Sequence, residues 1–148
     1  MRVARLALII LPLAAPLSAR ETVGTFATWA AFCDGPKKCF AISEPAERTK
    51  HPYLSVMVAG ATPRVQAHLG RRARAAKLMI GDADFALSVS GDEAVADPRT
   101  SRRIVAAMRD GESATLVGTS EKGRRFRHHY LLAGAPSAID AAAVASLR

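Results

Sequence analysis

From residue 26 onward the chain alternates apolar and polar positions in short runs broken by turn residues, the period-two pattern of strands with one packed face. Residues 26–33 put Trp29, Ala31 and Cys33 on one face and Phe26, Thr28, Ala30 and Phe32 on the other. Bulk on both faces suits a strand covered on two sides or packed by a helix. The Asp34-Gly35-Pro36-Lys37-Lys38 segment is turn chemistry, because glycine reaches positive φ and proline fixes its own. Residues 39–43 then read as the return strand of a hairpin. Residues 44–52, polar and flanked by prolines, read as a loop. Residues 53–59 alternate with Leu54, Val56 and Val58 inward, residues 60–63 turn the chain, and residues 65–69 form a shorter strand. Residues 70–76 carry Arg71, Arg72 and Arg74 and read as a solvated turn. A second hairpin joins residues 77–80 to residues 83–89 through Gly81-Asp82, with Phe85, Leu87 and Val89 on one face.

The period then changes. Asp97-Pro98 opens a helix, since aspartate accepts from free amides and proline is tolerated at the first helical position. Ile104, Val105 and Met108 fall at helical spacing, Arg102, Arg103 and Arg109 take the polar side, and Gly111 ends it. Residues 113–119 and 123–132 return to strand period across a Glu121-Lys122-Gly123 turn. Residues 140–147, alanine-rich with Ile139, Val144 and Leu147 spaced for packing, read as a terminal helix. The pattern predicts a mainly β fold: an antiparallel sheet or β-sandwich of about seven or eight short strands with one or two packed helices.

The first nineteen residues have a different grammar. Arg2 and Arg5 precede an apolar run over residues 6–17, and Leu17-Ser18-Ala19 ends on a small residue, the order of a secretory signal. The run is about twelve residues, broken by Pro12 and Pro16, whereas a spanning helix needs roughly twenty. Cleavage near Ala19 leaves a single domain over residues 20–148 with no transmembrane segment, in the periplasm or secreted. It also removes two arginines from a chain whose formal charge is +8. A basic exported protein points to an envelope protein or an anionic lipid or polysaccharide as partner. Nucleic acid is not expected, because the chain is exported and its aromatic content of 5% leaves few stacking platforms.

Cys33 and Cys39 are the only cysteines. In an oxidising compartment an even count at short spacing reads as a disulfide. A metal pair is disfavoured by the spacing and by the lack of a histidine cluster. His128 and His129 are consecutive on a strand and so point to opposite faces, which prevents them from ligating one metal without a bulge. Asp82, Asp84, Asp92, Glu93 and Asp97 lack the alternating spacing of a calcium loop. No nucleophile elbow, phosphate loop or dinucleotide fingerprint occurs. No catalytic residue, metal or cofactor is therefore assigned. The arginines remain as candidates for anion binding: Arg71, Arg72 and Arg74 in one segment, Arg124, Arg125 and Arg127 in another, since guanidinium pairs bidentately with phosphate and carboxylate.

Phe26-x-x-Trp29 leading into Cys33-Asp34, the nearby Cys39, the segment at 104–111 (IVAAMRDG) and the closing run Tyr130-Leu131-Leu132-Ala133-Gly134 with Ala138 resemble the invasion-associated locus B family of small exported bacterial proteins. The resemblance spans residues 23–138. It implies a β-rich periplasmic or envelope-associated protein without established enzymatic activity. Family members often carry a second cysteine pair, which this chain lacks. The expectation is a non-catalytic envelope module that binds through a basic surface. The alternative is a small periplasmic hydrolase or metal-dependent enzyme using His128 or the acidic loop.

Overall fold

The computed structural model describes residues 20–47 and 51–148. The signal reading of residues 1–19 lies outside the described residues. Ten strands follow in chain order: β1 (Glu21–Phe26), β2 (Trp29–Cys33), β3 (Cys39–Ser43), β4 (Tyr53–Ala59), β5 (Thr62–His68), β6 (Ala73–Ile80), β7 (Ala83–Ser90), β8 (Glu93–Val95), β9 (Ser113–Ser120) and β10 (Arg125–Leu131). Helix α1 (Pro98–Asp110) lies between β8 and β9, and α2 (Ala135–Ala145) ends the chain. The strands form one sheet in the order β1-β2-β3-β4-β5-β8-β7-β6-β9-β10. Every pairing is antiparallel. The sheet curls into a half-barrel around the two helices. A sandwich of two sheets is therefore not formed, and the strand count exceeds the seven or eight expected.

Period-two burial decides which face turns inward. Trp29, Ala31 and Cys33 are buried on β2, Leu54, Val56 and Val58 on β4, and Ala114, Leu116 and Phe126 on β9 and β10. All belong to one contiguous core. Helix α2 packs on β1 to β4, α1 packs on β5, β6 and β7, and the helices touch each other. The α2 face is made of Ala135, Ala138, Ile139 and Ala142, small residues that let the helix approach the sheet. Val144 and Leu147, expected inward, are 58% and 80% exposed, because Val144 lies about 140° around the helix from Ile139 and Leu147 lies beyond the helix end at Ala145. The α1 prediction holds at both ends: Asp97 accepts from the amides of Arg99 and Thr100 at 2.9 Å, and Gly111 is the C-cap. The buried Ser101 hydroxyl accepts from Val65 N at 3.1 Å and donates to the Ala96 carbonyl at 3.2 Å, tying α1 to the sheet.

Four strand boundaries depart from the pattern. The first is that of β5, which begins at Thr62 inside the turn expected over residues 60–63, because Thr62 and Pro63 already pair with Ala59 and Val58. The single strand expected over residues 26–33 is two, because Ala27 adopts φ 51° and turns the chain between β1 and β2. The solvated turn expected over residues 70–76 is mostly strand, with β6 starting at Ala73 and a bulge at Arg74. Glu93, expected in a solvated turn, opens the short β8, which fills the gap between β5 and β7, while Asp92 stays in the turn before it. Cys33 and Cys39 are cross-strand partners and form the expected disulfide, with S–S 2.03 Å.

The curled sheet is fastened where its two ends approach. Trp29 Nε1 donates to the Leu131 carbonyl at 2.9 Å, joining β2 to the end of β10. The edge of β10 is met by the β3–β4 connection: Ala46 N donates to the His129 carbonyl at 2.8 Å, and His129 N donates to Glu47 Oε2 at 3.1 Å. Gly134, at φ 88°, lies so close to β1 that a Cβ there would sit 1.9 Å from the Phe26 carbonyl oxygen.

A basic groove on the outer face

The outer face of β6, β9 and β10 is built from the side chains that alternate away from the core. Cross-strand register sets Arg127 opposite Val117 and Val117 opposite Lys77, and sets Arg125 opposite Thr119 and Thr119 opposite Ala75. Arg127 and Lys77 thus face each other across Val117, whereas Arg125 faces Ala75 across Thr119. Two strand spacings separate their backbones by about 10 Å, within the combined reach of arginine and lysine. The result is a groove of about 500 Å³ with Ala75, Met79 and Val117 along its floor and Lys77, Arg125 and Arg127 on its sides. Lys77 Nζ is held at 2.7 Å from Asp84 Oδ2. Arg125 and Arg127 form no ion pair among the described residues.

The six candidate arginines gather at one end of the sheet, because the start of β6 pairs with the end of β9, which pairs with the start of β10. They do not all face one way. Arg125 and Arg127 line the groove. Arg74 lies at the bulge beside the β9–β10 turn, with a guanidinium nitrogen 3.8 Å from a Cβ built on Gly123. Arg124 continues the same turn, its amide bonded to Ser120 Oγ at 3.1 Å. Arg72 is paired with Glu121 at 3.0 Å. Arg71 sits 4.9 Å over the Phe126 ring, towards the inward face. Lys77, Met79 and Val117 join the site without having been singled out in the sequence. Their outward position follows from period-two alternation, a signal the sequence carries, but only the β6–β9–β10 register sets them beside the arginines.

The histidines behave as strand geometry requires. His128 is buried, with Nε2 3.2 Å from the Leu69 carbonyl and Nδ1 unpartnered. Burial holds its pKa below the ordinary imidazole value, against the opposing pull of the Leu69 carbonyl, with Arg71 lowering it further and Glu47 raising it. Its neighbour Tyr130 is fully buried with an unpartnered hydroxyl, and burial pushes its pKa up. His129 faces outward, 3.3 Å from Thr115 Oγ1. Of the acidic loop residues, Asp92 and Glu93 approach His68, whose Nδ1 lies 3.0 Å from Glu93 Oε1 and 3.9 Å from Asp92 Oδ2. The three offer ligand atoms within 4.8 Å of one another. Stacking of His68 on Tyr53, with ring centroids 5.3 Å apart, and its bond to Glu93 account for that approach.

No protein family's sequence model matches the chain, and no curated protein matches it. Among solved structures, the fold is found in the crystal structure of invasion associated protein B from Bartonella henselae, with a TM-score of 0.65 at 19% sequence identity. The match covers 86% of this chain and 99% of that one. It is the fold that the hairpin and the closing run implied.

Proposed function

We propose that this protein is an exported, non-catalytic envelope module of the invasion-associated locus B type. Its outer-face groove binds a phosphate-bearing amphiphile, such as a phospholipid or an anionic glycolipid. The observation that carries the reading is the pairing of Arg125 and Arg127, without carboxylate partners among the described residues, with a floor of Ala75, Met79 and Val117. Guanidinium matches phosphate oxygens in a bidentate fork, and the apolar floor suits the glycerol or acyl portion beside a headgroup better than it suits a wholly hydrophilic polysaccharide. Export is supported by the signal grammar of residues 1–19 and by the disulfide, which persists in oxidising compartments. Among the described residues no helix is long and apolar enough to cross a membrane. A peripheral, charge-led contact fits that.

Flotation with phosphatidylglycerol vesicles tests the binding. Retention at low salt that weakens as ionic strength rises is expected, because exposed charges are screened over about 10 Å at 0.1 M salt. Equal retention on phosphatidylcholine would remove the anionic headgroup from the account. The enzyme reading has its best support in the His68, Asp92 and Glu93 grouping. Metal analysis of purified protein separates the two, since stoichiometric bound metal would favour the enzyme.

A further inference from the structure

We infer that the outer face of β2 to β5 carries a second binding site, a depression centred on Ser55 that takes a neutral pyranose ring of a glycan. It lies on the opposite half of the sheet from the basic groove and stands independently of the function proposed for that groove. Register produces it. Ile42 pairs with Ser55 and Ser55 with Gln66, so one small residue sits in a row between larger ones. Phe40 and Tyr53 rise on either side along their strands, leaving a hollow of about 260 Å³. At the wall, Phe40 stacks on its cross-strand partner Phe32, with centroids 5.2 Å apart.

The floor is what points to a ligand. Ser55 is 2% exposed, lines the hollow, and its hydroxyl has no hydrogen-bond partner. Buried hydroxyls in native proteins are almost always paired, and an exception calls for an explanation. A ligand that supplies the missing bond must bring a polar group to the bottom while presenting carbon to Phe40, Ile42 and Tyr53. Pyranose rings have that character: equatorial hydroxyls around the rim and apolar C–H faces that lie against aromatic rings. Arg20, whose guanidinium lies 4.6 Å over the Phe32 ring, and Asp34 also line the hollow and are of opposite sign. A net ion therefore gains little there, whereas a sugar's hydroxyls can bond to both. Gln66 adds an amide that can donate and accept.

The experiment is a titration of the purified, nitrogen-15-labelled protein with triacetylchitotriose and with maltotriose, read by backbone amide shifts. Saturable shifts confined to Phe40, Ile42, Tyr53, Ser55 and Gln66 are expected with at least one sugar. Ser55→Ala should weaken that binding about five- to tenfold, the worth of one neutral hydrogen bond. The same variant should keep or raise the thermal midpoint, because it deletes an unpaired buried hydroxyl without changing the packing. Arg125→Glu should leave the sugar titration unchanged, which separates this site from the groove. Absence of localised shifts with both sugars, or undiminished affinity in Ser55→Ala, overturns the inference.

Discussion

Trp29 and Leu131 lie 102 residues apart in sequence, yet the indole N–H of one donates to the carbonyl of the other at 2.9 Å. This bond joins the second strand in spatial order to the last, and it explains why the tryptophan is core and not a ligand platform. Trp29→Phe keeps a large aromatic but removes the donor, leaving the Leu131 carbonyl short of a partner in a part-buried setting. A loss of about 1–3 kcal/mol is expected in urea unfolding. Faster amide exchange along β10 should accompany it, and an unchanged midpoint would show that the fastening is dispensable.

Gly134 and Gly60 both adopt positive φ, 88° and 75°, but differ in surroundings. A Cβ at Gly134 would meet the Phe26 carbonyl oxygen at 1.9 Å, whereas nothing lies within 4 Å of one at Gly60. Gly60→Ala should cost only the strain of a left-handed alanine, about 1–2 kcal/mol. Gly134→Ala adds a backbone clash at the start of α2 and should cost at least about 3 kcal/mol. Thermal melts of the two variants decide this, and equal losses would contradict the close approach.

The Cys33–Cys39 bridge closes a short loop across a β-hairpin. Replacing both cysteines with serine should lower stability by about 2 kcal/mol in the chain-entropy account. The purified protein should show no free thiol by mass spectrometry under non-reducing conditions.

His128 sets a pH dependence with a definite sign. Its folded pKa lies below the unfolded value of about 6.5, so the unfolded chain binds more protons in the window between the two. Stability is therefore fully present above the unfolded value and declines as pH falls through 6.5 toward the depressed folded value. His128→Leu should flatten this segment of the stability profile. The acid losses of Asp97 and Asp140, whose pKa values are lowered by Thr100 and Arg109 respectively, lie below the ordinary carboxylate value of 3.8 and should remain in the variant. A slope between neutrality and that range that persists without His128 would assign it elsewhere.

Much of the fold was legible because alternation is a local signal. The inward set of Trp29, Ala31 and Cys33, the Asp97-Pro98 helix start and the opposed faces of His128 and His129 all follow from side-chain period. Three features were hidden for physical reasons. The start of β6 looked like a turn because Arg71, Arg72 and Arg74 cluster there and the bulge at Arg74 breaks the alternation. β8 is only three residues long and begins on a carboxylate, Glu93. The sheet order depends on pairings such as β5 with β8 and β6 with β9, and no local run names a distant partner. The candidate sites suffered most from this. Arginines could be picked from the sequence, but Lys77 beside Arg127, and Ser55 in a hollow, exist only once register is known.

In the proposed function Arg125 and Arg127, more than the basic charge as a whole, bind a phosphate-bearing headgroup. Vesicle flotation of Arg125→Glu/Arg127→Glu beside Arg71→Glu/Arg72→Glu decides this, because both pairs change the net charge equally. In the second pair Arg71 is turned onto Phe126 and Arg72 is offset by Glu121. Loss of phosphatidylglycerol binding in the first pair, with most binding kept in the second, is the predicted result. Binding retained by Arg125→Glu/Arg127→Glu would contradict it.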